Sequence, residues 1–130
     1  VQSLAGMQRR VCVVDERGEI YPQELSGPDQ QLPAVDTLSG IPKERAVQMA
    51  LRTLSPQVIV LDELGSLAET ATLEQGFFSG VDFIASVHAA SAEAVSRPQV
   101  KALQQQGMLR VLVLLQGCAE PGRVRQIDEL

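Results

Sequence analysis

Cysteine is scarce in this sequence. Its two cysteines, Cys12 and Cys118, are too few for the disulfide framework that stabilises many small secreted domains. Each lies in or beside an apolar run, where small buried thiols are common. The cysteine usage therefore favours a reducing, cytoplasmic setting.

Long hydrophobic runs and an excess of positive charge are also missing. No apolar stretch approaches the ~20 residues that a membrane-spanning helix needs, and the first residues lack the charged-then-apolar pattern of a signal peptide. We therefore expect no transmembrane segment and, at most, peripheral association with a membrane. The formal net charge of -5 argues against nucleic acid as a partner, because phosphate binding requires clustered Lys and Arg side chains.

What is present is an ordinary globular composition. Hydrophobic residues make up 45% of the chain and charged residues 21%, which excludes a disordered or collagen-like protein. A length of 130 residues is typical of one domain with one hydrophobic core. We therefore expect residues 1–130 to form a single domain.

Short apolar runs predict the strands. Val11–Val14 and Val58–Leu61 are continuous apolar runs, rich in β-branched residues and followed by acidic residues, as expected for strands buried on both faces. Asp82–His88 is shorter and β-prone. These three segments are the predicted strands of a central sheet.

The segments between these strands predict a loop and two helices. Gly18–Ile41 is rich in Pro and Gly, so we expect a long loop there with one short extended piece. Pro42 opens a helix whose apolar stripe has helical spacing. Ser66 and Glu69 have capping-box spacing, which predicts a helix from Ser66 that stops at Gly80. The stripe on the first helix consists of Val47, Ala50, Leu51 and Leu54.

The last part of the chain predicts a helix and a hairpin. The helix is expected over Ala92–Gln106, with a break or bend near Pro98. Leu109–Gln116 is an apolar strand pattern. The Pro121-Gly122 turn that leads to Val124–Ile127 is too short for a parallel crossover, so these two segments are expected to pair as an antiparallel hairpin.

Strands and helices alternate along the chain. This order predicts the α/β class, with a mostly parallel sheet, helices on both faces and a C-terminal β-hairpin. Ligands of open α/β sheets bind at the carboxyl ends of the strands. Polar residues that follow the predicted strands are therefore the candidates for a functional site.

Asp62 and Glu63 are the first candidates, because they directly follow the strand Val58–Leu61. Four apolar residues that end in two carboxylates form a Walker B pattern. In such a site Asp62 would hold Mg²⁺ and Glu63 would polarise the water that attacks the terminal phosphate. The alternative is that the two acids only end the strand and precede the next helix, and the motif alone does not separate these interpretations.

His88, the sole histidine, ends the next predicted strand. A polar side chain at this position could report the terminal phosphate of a nucleotide, whereas a lone histidine is more often a structural residue. Arg52 lies on the preceding helix, off its apolar stripe, and could act across a subunit boundary as an arginine finger or simply be solvated. Asp15, Glu16 and Arg17 follow the first strand, either as further site residues or as a solvated turn.

Four segments together resemble the stage III sporulation protein AA family. They are Arg10–Arg17, Gly40–Lys43, Leu51–Gly65 and Phe83–His88, and the set is more specific than any single motif. The resemblance covers Leu4–Ile127. It implies a P-loop ATPase similar to the hexameric motor ATPases of type II and type IV secretion, acting with ATP and Mg²⁺.

The resemblance also implies roles and a setting. Asp62 and Glu63 would form Walker B, with Asp62 as the metal ligand, and His88 would lie on the histidine-box or sensor strand. The family acts in the mother cell during endospore formation, which implies a cytoplasmic protein, peripheral at the membrane, that is hexameric at full length and has membrane-bound sporulation proteins as partners. The implied acidic box near the nucleotide consists of Asp15, Glu16 and Arg17.

One part of the family pattern is missing. The 130 residues contain no Gly-x-x-x-x-Gly-Lys-Ser/Thr stretch, the loop whose backbone N–H groups and lysine hold the phosphates. In the family this loop lies just upstream, so residues 1–10 would be the tail of the following helix and residues 11–130 the rest of the domain. The expected fold is a RecA/AAA-like P-loop core without its first strand. Leu109–Gln116 would then pair beside Asp82–His88, or leave an edge that a second molecule covers to form a dimer.

Two functions follow from these observations. The first is the motor-type ATPase domain of a sporulation protein, truncated here and inactive alone. The second is a non-catalytic interaction module that assembles with itself or with membrane-bound sporulation proteins. The two differ in whether assembly depends on the nucleotide.

Overall fold

The computed structural model describes residues 1–20, 35–89 and 96–130. These residues form two compact units, Val1–Val87 and His88–Leu130. No helix within the described ranges is long and apolar enough to cross a membrane.

The first unit is built on a parallel sheet. Its four strands are β1 (Val11–Asp15), β2 (Val35–Ser39), β3 (Val58–Glu63) and β4 (Asp82–Ser86), in the spatial order β2-β1-β3-β4. All three pairings are parallel, which confirms the predicted α/β class and sheet type. β2 is the short extended piece expected within Gly18–Ile41, of which residues 21–34 lie outside the described ranges.

β1 and β3 occupy the centre of this sheet because their residues are apolar on both faces. All five residues of β1 are buried, and so are the first four residues of β3. In the register of the pair, Val11 lies beside Val58 and Val14 beside Leu61. β-Branched side chains favour this pleated, two-sided packing, so the strongest apolar runs in the sequence form the innermost strands.

Helices cover both faces of the sheet, as predicted. On one face Leu4 of α1 (Gln2–Gly6) packs against the core cluster of the two central strands. On the other face lie α2 (Lys43–Met49), which contacts β1, and α3 (Leu67–Phe78), which contacts β4. The members of the core cluster are Val11, Val13, Val58 and Val60.

The helices α2 and α3 connect successive parallel strands, and each starts at a residue that favours a helix start. α2 starts directly after Pro42 and continues into a π-helical segment, Ala50–Leu54, which stops at the left-handed residue Ser55. α3 has the predicted capping box: Ser66 Oγ accepts a hydrogen bond from Glu69 N at 3.3 Å, and the Glu69 carboxylate accepts one from Ser66 N at 3.4 Å.

The second unit contains α4 (Pro98–Gln105), β5 (Val111–Leu115) and β6 (Val124–Glu129). β5 and β6 pair antiparallel, which confirms the predicted hairpin. Within the described residues the predicted helix is present as α4, and the extended Arg97 directly before Pro98 confirms the break expected there, since the residue before a proline is usually extended and a proline readily starts a helix. Residues 90–95 of that prediction lie outside the described ranges.

Of the two alternatives expected for Leu109–Gln116, pairing beside Asp82–His88 is not found among the described strands, where β5 forms a separate two-stranded sheet with β6. The other alternative, an edge covered by a second molecule, stays a prediction. β4 ends at Ser86 rather than His88. The backbone hydrogen bond from Leu64 N to Ser86 O, 2.8 Å long, closes its pairing with β3.

Candidate functional site

The candidate site lies at the carboxyl edge of the first unit's sheet. Because the strands are parallel, their last residues share this edge, and the register that pairs Val14 with Leu61 brings Asp15 level with Asp62. Glu63, the final residue of β3, pairs with Ser86 across a register shift. The edge therefore carries three carboxylates on two adjacent central strands.

Asp62 is held by a lysine from the neighbouring crossover. Lys43, the first residue of α2, places Nζ 2.7 Å from Asp62 Oδ1, and both side chains are close to nine-tenths buried, with 11% and 12% exposure. The same ammonium donates to the backbone carbonyl of Glu63. Its third neighbour is Glu69 Oε2, at 3.9 Å. One cation thus joins the start of α2, the end of β3 and the first turn of α3.

Asp62 has the chemistry of a magnesium ligand. Oδ1 is buried and accepts no aligned hydrogen bond from the described residues, although it forms the ion pair with Lys43. Mg²⁺ prefers oxygen ligands and in nucleotide sites uses one or two carboxylates together with phosphate oxygens and water. No group of three or more His, Cys, Asp or Glu side chains in residues 1–20, 35–89 and 96–130 could hold a metal ion. A metal ion on Asp62 would therefore need further oxygen ligands from outside this set, such as water or phosphate oxygens.

Glu63 and Asp62 are adjacent but sit in different surroundings. Glu63 is exposed, whereas Asp62 is largely buried against Lys43. An exposed carboxylate beside a charge-paired one can contact a water molecule while its neighbour holds a cation. The geometry is compatible with the two separate roles predicted for the pair.

Asp15 is fully buried and serves the turn after β1. Oδ1 accepts a hydrogen bond from Glu19 N at 2.8 Å, and Oδ2 accepts one from Ile20 N at 2.7 Å. Glu16 and Arg17 are exposed in the same turn. Both oxygens of Asp15 thus shape the loop that leaves the edge, and a role for these residues beside a nucleotide stays a prediction.

Arg52 and His88 are not brought to Asp62 within the first unit. Arg52 is exposed in the π-helical segment, nine residues beyond Lys43, which corresponds to about 13 Å along a helix. It lies at the far end of the crossover, so both alternatives stay open: a solvated side chain or a contact across a subunit boundary. His88 is exposed two residues beyond β4 and opens the second unit, and its sensor role stays a prediction.

Sequence reasoning misses Lys43 as a site residue. Gly40–Lys43 contributes only to the family-like pattern, and nothing local marks a lysine after Pro42 as buried. The available signal is indirect: a buried carboxylate needs a counter-charge, and a crossover helix starts at the carboxyl edge of the sheet. A basic residue at the start of α2 is therefore the natural partner for Asp62.

Cys12 is excluded as a nucleophile in this unit. It lies in the middle of β1 with no exposed surface. Burial, and secondarily the charge of Asp36, raises the pKa of its thiol to about 12. Since the thiolate is the reactive form, this residue is an inert part of the core.

Together the fold and the edge define a parallel α/β domain whose central strand ends in an acid pair, a class in which this edge commonly binds ligands. The chain belongs to the family described as Sporulation stage III, protein AA, whose sequence model matches residues 2–129. This confirms the resemblance drawn from the motifs. Among relatives, the chain is similar to Stage III sporulation protein AA of Bacillus subtilis (strain 168), with 32% identity over 117 residues. The match covers 88% of this chain and 38% of that relative.

Proposed function

We propose that this chain is part of an ATP-dependent, motor-type ATPase domain of a sporulation protein. The observation that carries the proposal is the acid pair at the end of β3, with Asp62 largely buried beside a counter-charge and Glu63 exposed. The support lies in the acid pair itself, because the hydrolytic half of a Mg²⁺-dependent phosphoryl-transfer site uses one carboxylate to hold the metal ion and a second group to orient water.

In this proposal Asp62 binds the magnesium ion of a bound nucleotide, and Glu63 orients the attacking water. Magnesium would supply charge compensation for the phosphate oxygens. The candidates at greater distance have secondary roles: Arg52 in a neighbouring subunit as an arginine finger, and His88 as a sensor of the terminal phosphate. Asp15, Glu16 and Arg17 shape the loop beside the nucleotide.

The chain on its own is expected to hydrolyse no ATP. Its 130 residues contain no Gly-x-x-x-x-Gly-Lys-Ser/Thr stretch, which supplies most phosphate contacts in P-loop enzymes. Because the chain corresponds to 38% of the Bacillus subtilis relative, activity is a property to test in a longer protein.

A chimera provides that test. The 117 matched residues of the Bacillus subtilis protein would be replaced by those of this chain, and ATP binding and phosphate release would be measured with Mg²⁺. We expect Glu63→Gln to keep ATP binding and lose at least about 100-fold in turnover, the scale of removing a group that acts in proton transfer. Asp62→Asn should raise the Mg²⁺ concentration that half-maximal turnover needs. Hydrolysis that survives both substitutions in a folded chimera would refute the proposal.

A second candidate function, a non-catalytic module that assembles with itself or with membrane-bound sporulation proteins, is favoured by the second unit. One side of its hairpin is apolar yet about half exposed, and exposed apolar patches often mark contact surfaces. The discriminating measurement is assembly and sporulation efficiency with Asp62 and Glu63 both changed to alanine. Unchanged assembly and sporulation favour the module, and loss of both favours the ATPase. The apolar residues are Val111, Val113, Leu115, Val124 and Ile127.

A further inference from the structure

We infer that Lys43 is a positioning residue that occupies the cation position at Asp62 and competes there with a divalent metal ion. The inference rests on the proposed function, in which Asp62 is the metal ligand. Its basis is the 2.7 Å contact between Lys43 Nζ and Asp62 Oδ1, formed by two side chains of only 11% and 12% exposure. An ammonium 2.7 Å from this oxygen and a magnesium ion bound to it at about 2.1 Å would exclude each other if they approach it from the same side.

The surroundings explain why a lysine is held there. Without the ammonium, the carboxylates of Asp62 and Glu69 would face one position without compensation, since each lies within 4 Å of Nζ. Leaving a largely buried carboxylate uncompensated is costly. Lys43 therefore stabilises the edge when no metal ion is bound.

The third contact shows how the exchange can occur without releasing the lysine. Nζ also donates to the backbone carbonyl of Glu63, an acceptor that a metal ion on the Asp62 carboxylate does not need. A lysine ammonium has three donors and a flexible stem. It can leave the Asp62 oxygen while it keeps the carbonyl at the end of β3, so that it lies next to the exposed Glu63 after the exchange.

The test measures binding of Mn²⁺, a spectroscopically visible stand-in for Mg²⁺, by water-proton relaxation in the absence of nucleotide. Lys43→Met is expected to bind Mn²⁺ about tenfold more tightly than the wild type, since one competing, partly buried charge is removed. Lys43→Arg keeps the charge and should stay near the wild-type affinity. Adding Asp62→Asn to Lys43→Met should abolish the gain. Lys101→Met is the matched control, because Lys101 is exposed on α4 and is the other lysine of the chain.

Amine reactivity gives a second measurement that needs no substitution of Lys43. Limited acetylation followed by peptide mass spectrometry should modify Lys101 well before Lys43 in the wild type. Millimolar Mn²⁺ should raise the rate at Lys43 several-fold and leave Lys101 unchanged, because the ammonium gives up its carboxylate partner.

The outcomes are separable from those of the proposed function. Equal or weaker Mn²⁺ binding by a folded Lys43→Met protein, or a Lys43 acetylation rate that does not respond to Mn²⁺, would overturn the competition. If Asp62→Asn leaves Mg²⁺-dependent ATP binding by the chimera unchanged, the proposed role of Asp62 at a nucleotide is refuted instead. In that case the Mn²⁺ data still decide whether Lys43 and a divalent ion share the Asp62 oxygen.

Discussion

Gly76 of α3 lies close to Phe83 of β4, and its substitution by alanine tests the packing of the first unit. A Cβ atom at this position would lie 2.5 Å from Cζ and 3.0 Å from Cε2 of Phe83, and 3.1 Å from Cδ2 of Leu51. Non-bonded carbons are at their optimal separation near 3.5–4.0 Å. The ring of Phe83 would therefore have to move by roughly 1 Å to reach an ordinary contact distance.

Two opposing effects set the magnitude. Alanine in place of glycine inside a helix is favourable by about 0.8–1 kcal/mol. Forcing an extra carbon into a packed contact costs about 1–3 kcal/mol, and the 2.5 Å approach argues for the upper part of that range. We expect Gly76→Ala to lower the free energy of unfolding by about 1–2 kcal/mol.

Urea unfolding followed by circular dichroism measures this loss, since the chain has no tryptophan to serve as a fluorescent probe. Gly6→Ala is the control, because Gly6 ends α1 and a Cβ atom added there would have nothing within 4 Å. Phe83→Leu in the Gly76→Ala background should recover part of the loss. If Gly76→Ala is as stable as the wild type or more stable, the close approach of α3 to β4 is not as described.

Two further substitutions probe the backbone and the core. Ser55 has a left-handed φ of 47°, so Ser55→Gly should raise the free energy of unfolding by about 1 kcal/mol. Ser79, at φ -88°, is the control, and Ser79→Gly should bring no such gain. Equal effects of the two substitutions in urea unfolding would argue against the left-handed geometry of Ser55. The pKa of the Cys12 thiol is raised from 9.0 to about 12, so its contribution to stability is complete below pH 9 and is lost as the pH rises through 12. Cys12→Ala should therefore show a shallower decline in stability than the wild type between pH 9 and 12, and identical slopes would contradict the burial of this thiol.

The central strands and the capping box were predictable because their signals are local. Val11–Val14 and Val58–Leu61 are apolar at every position, rich in β-branched residues and followed by acidic residues, as expected of strands covered on both faces. Ser66 and Glu69 form their hydrogen bonds within one helical turn. In each case the residues that determine the element lie inside the element itself.

The features that the sequence predicted incompletely or not at all depend on distant partners. β2 was expected only as an extended piece without bounds, because it is a half-exposed edge strand with little periodicity of its own, and its only pairing among the described strands is with β1. The contact between Lys43 and Asp62 joins a residue on a helix to one on the next strand. Nothing in the sequence around either residue predicts that it pairs with the other. β4 ends where its pairing with β3 ends, which is a property of the sheet and not of the segment. Sequence therefore located the acid pair but not its counter-charge.

The carboxylate of Glu69 has a mechanical consequence for the first unit. Oε2 accepts a hydrogen bond from Gly65 N at 2.8 Å, which fastens the start of α3 to the chain leaving β3, and it also lies 3.9 Å from the ammonium of Lys43. Tilting or sliding of α3 would carry this negative charge toward or away from the lysine. The electrostatic potential at the end of β3 therefore depends on the position of α3. A force that displaces α3 would change the potential at Asp62 and Glu63.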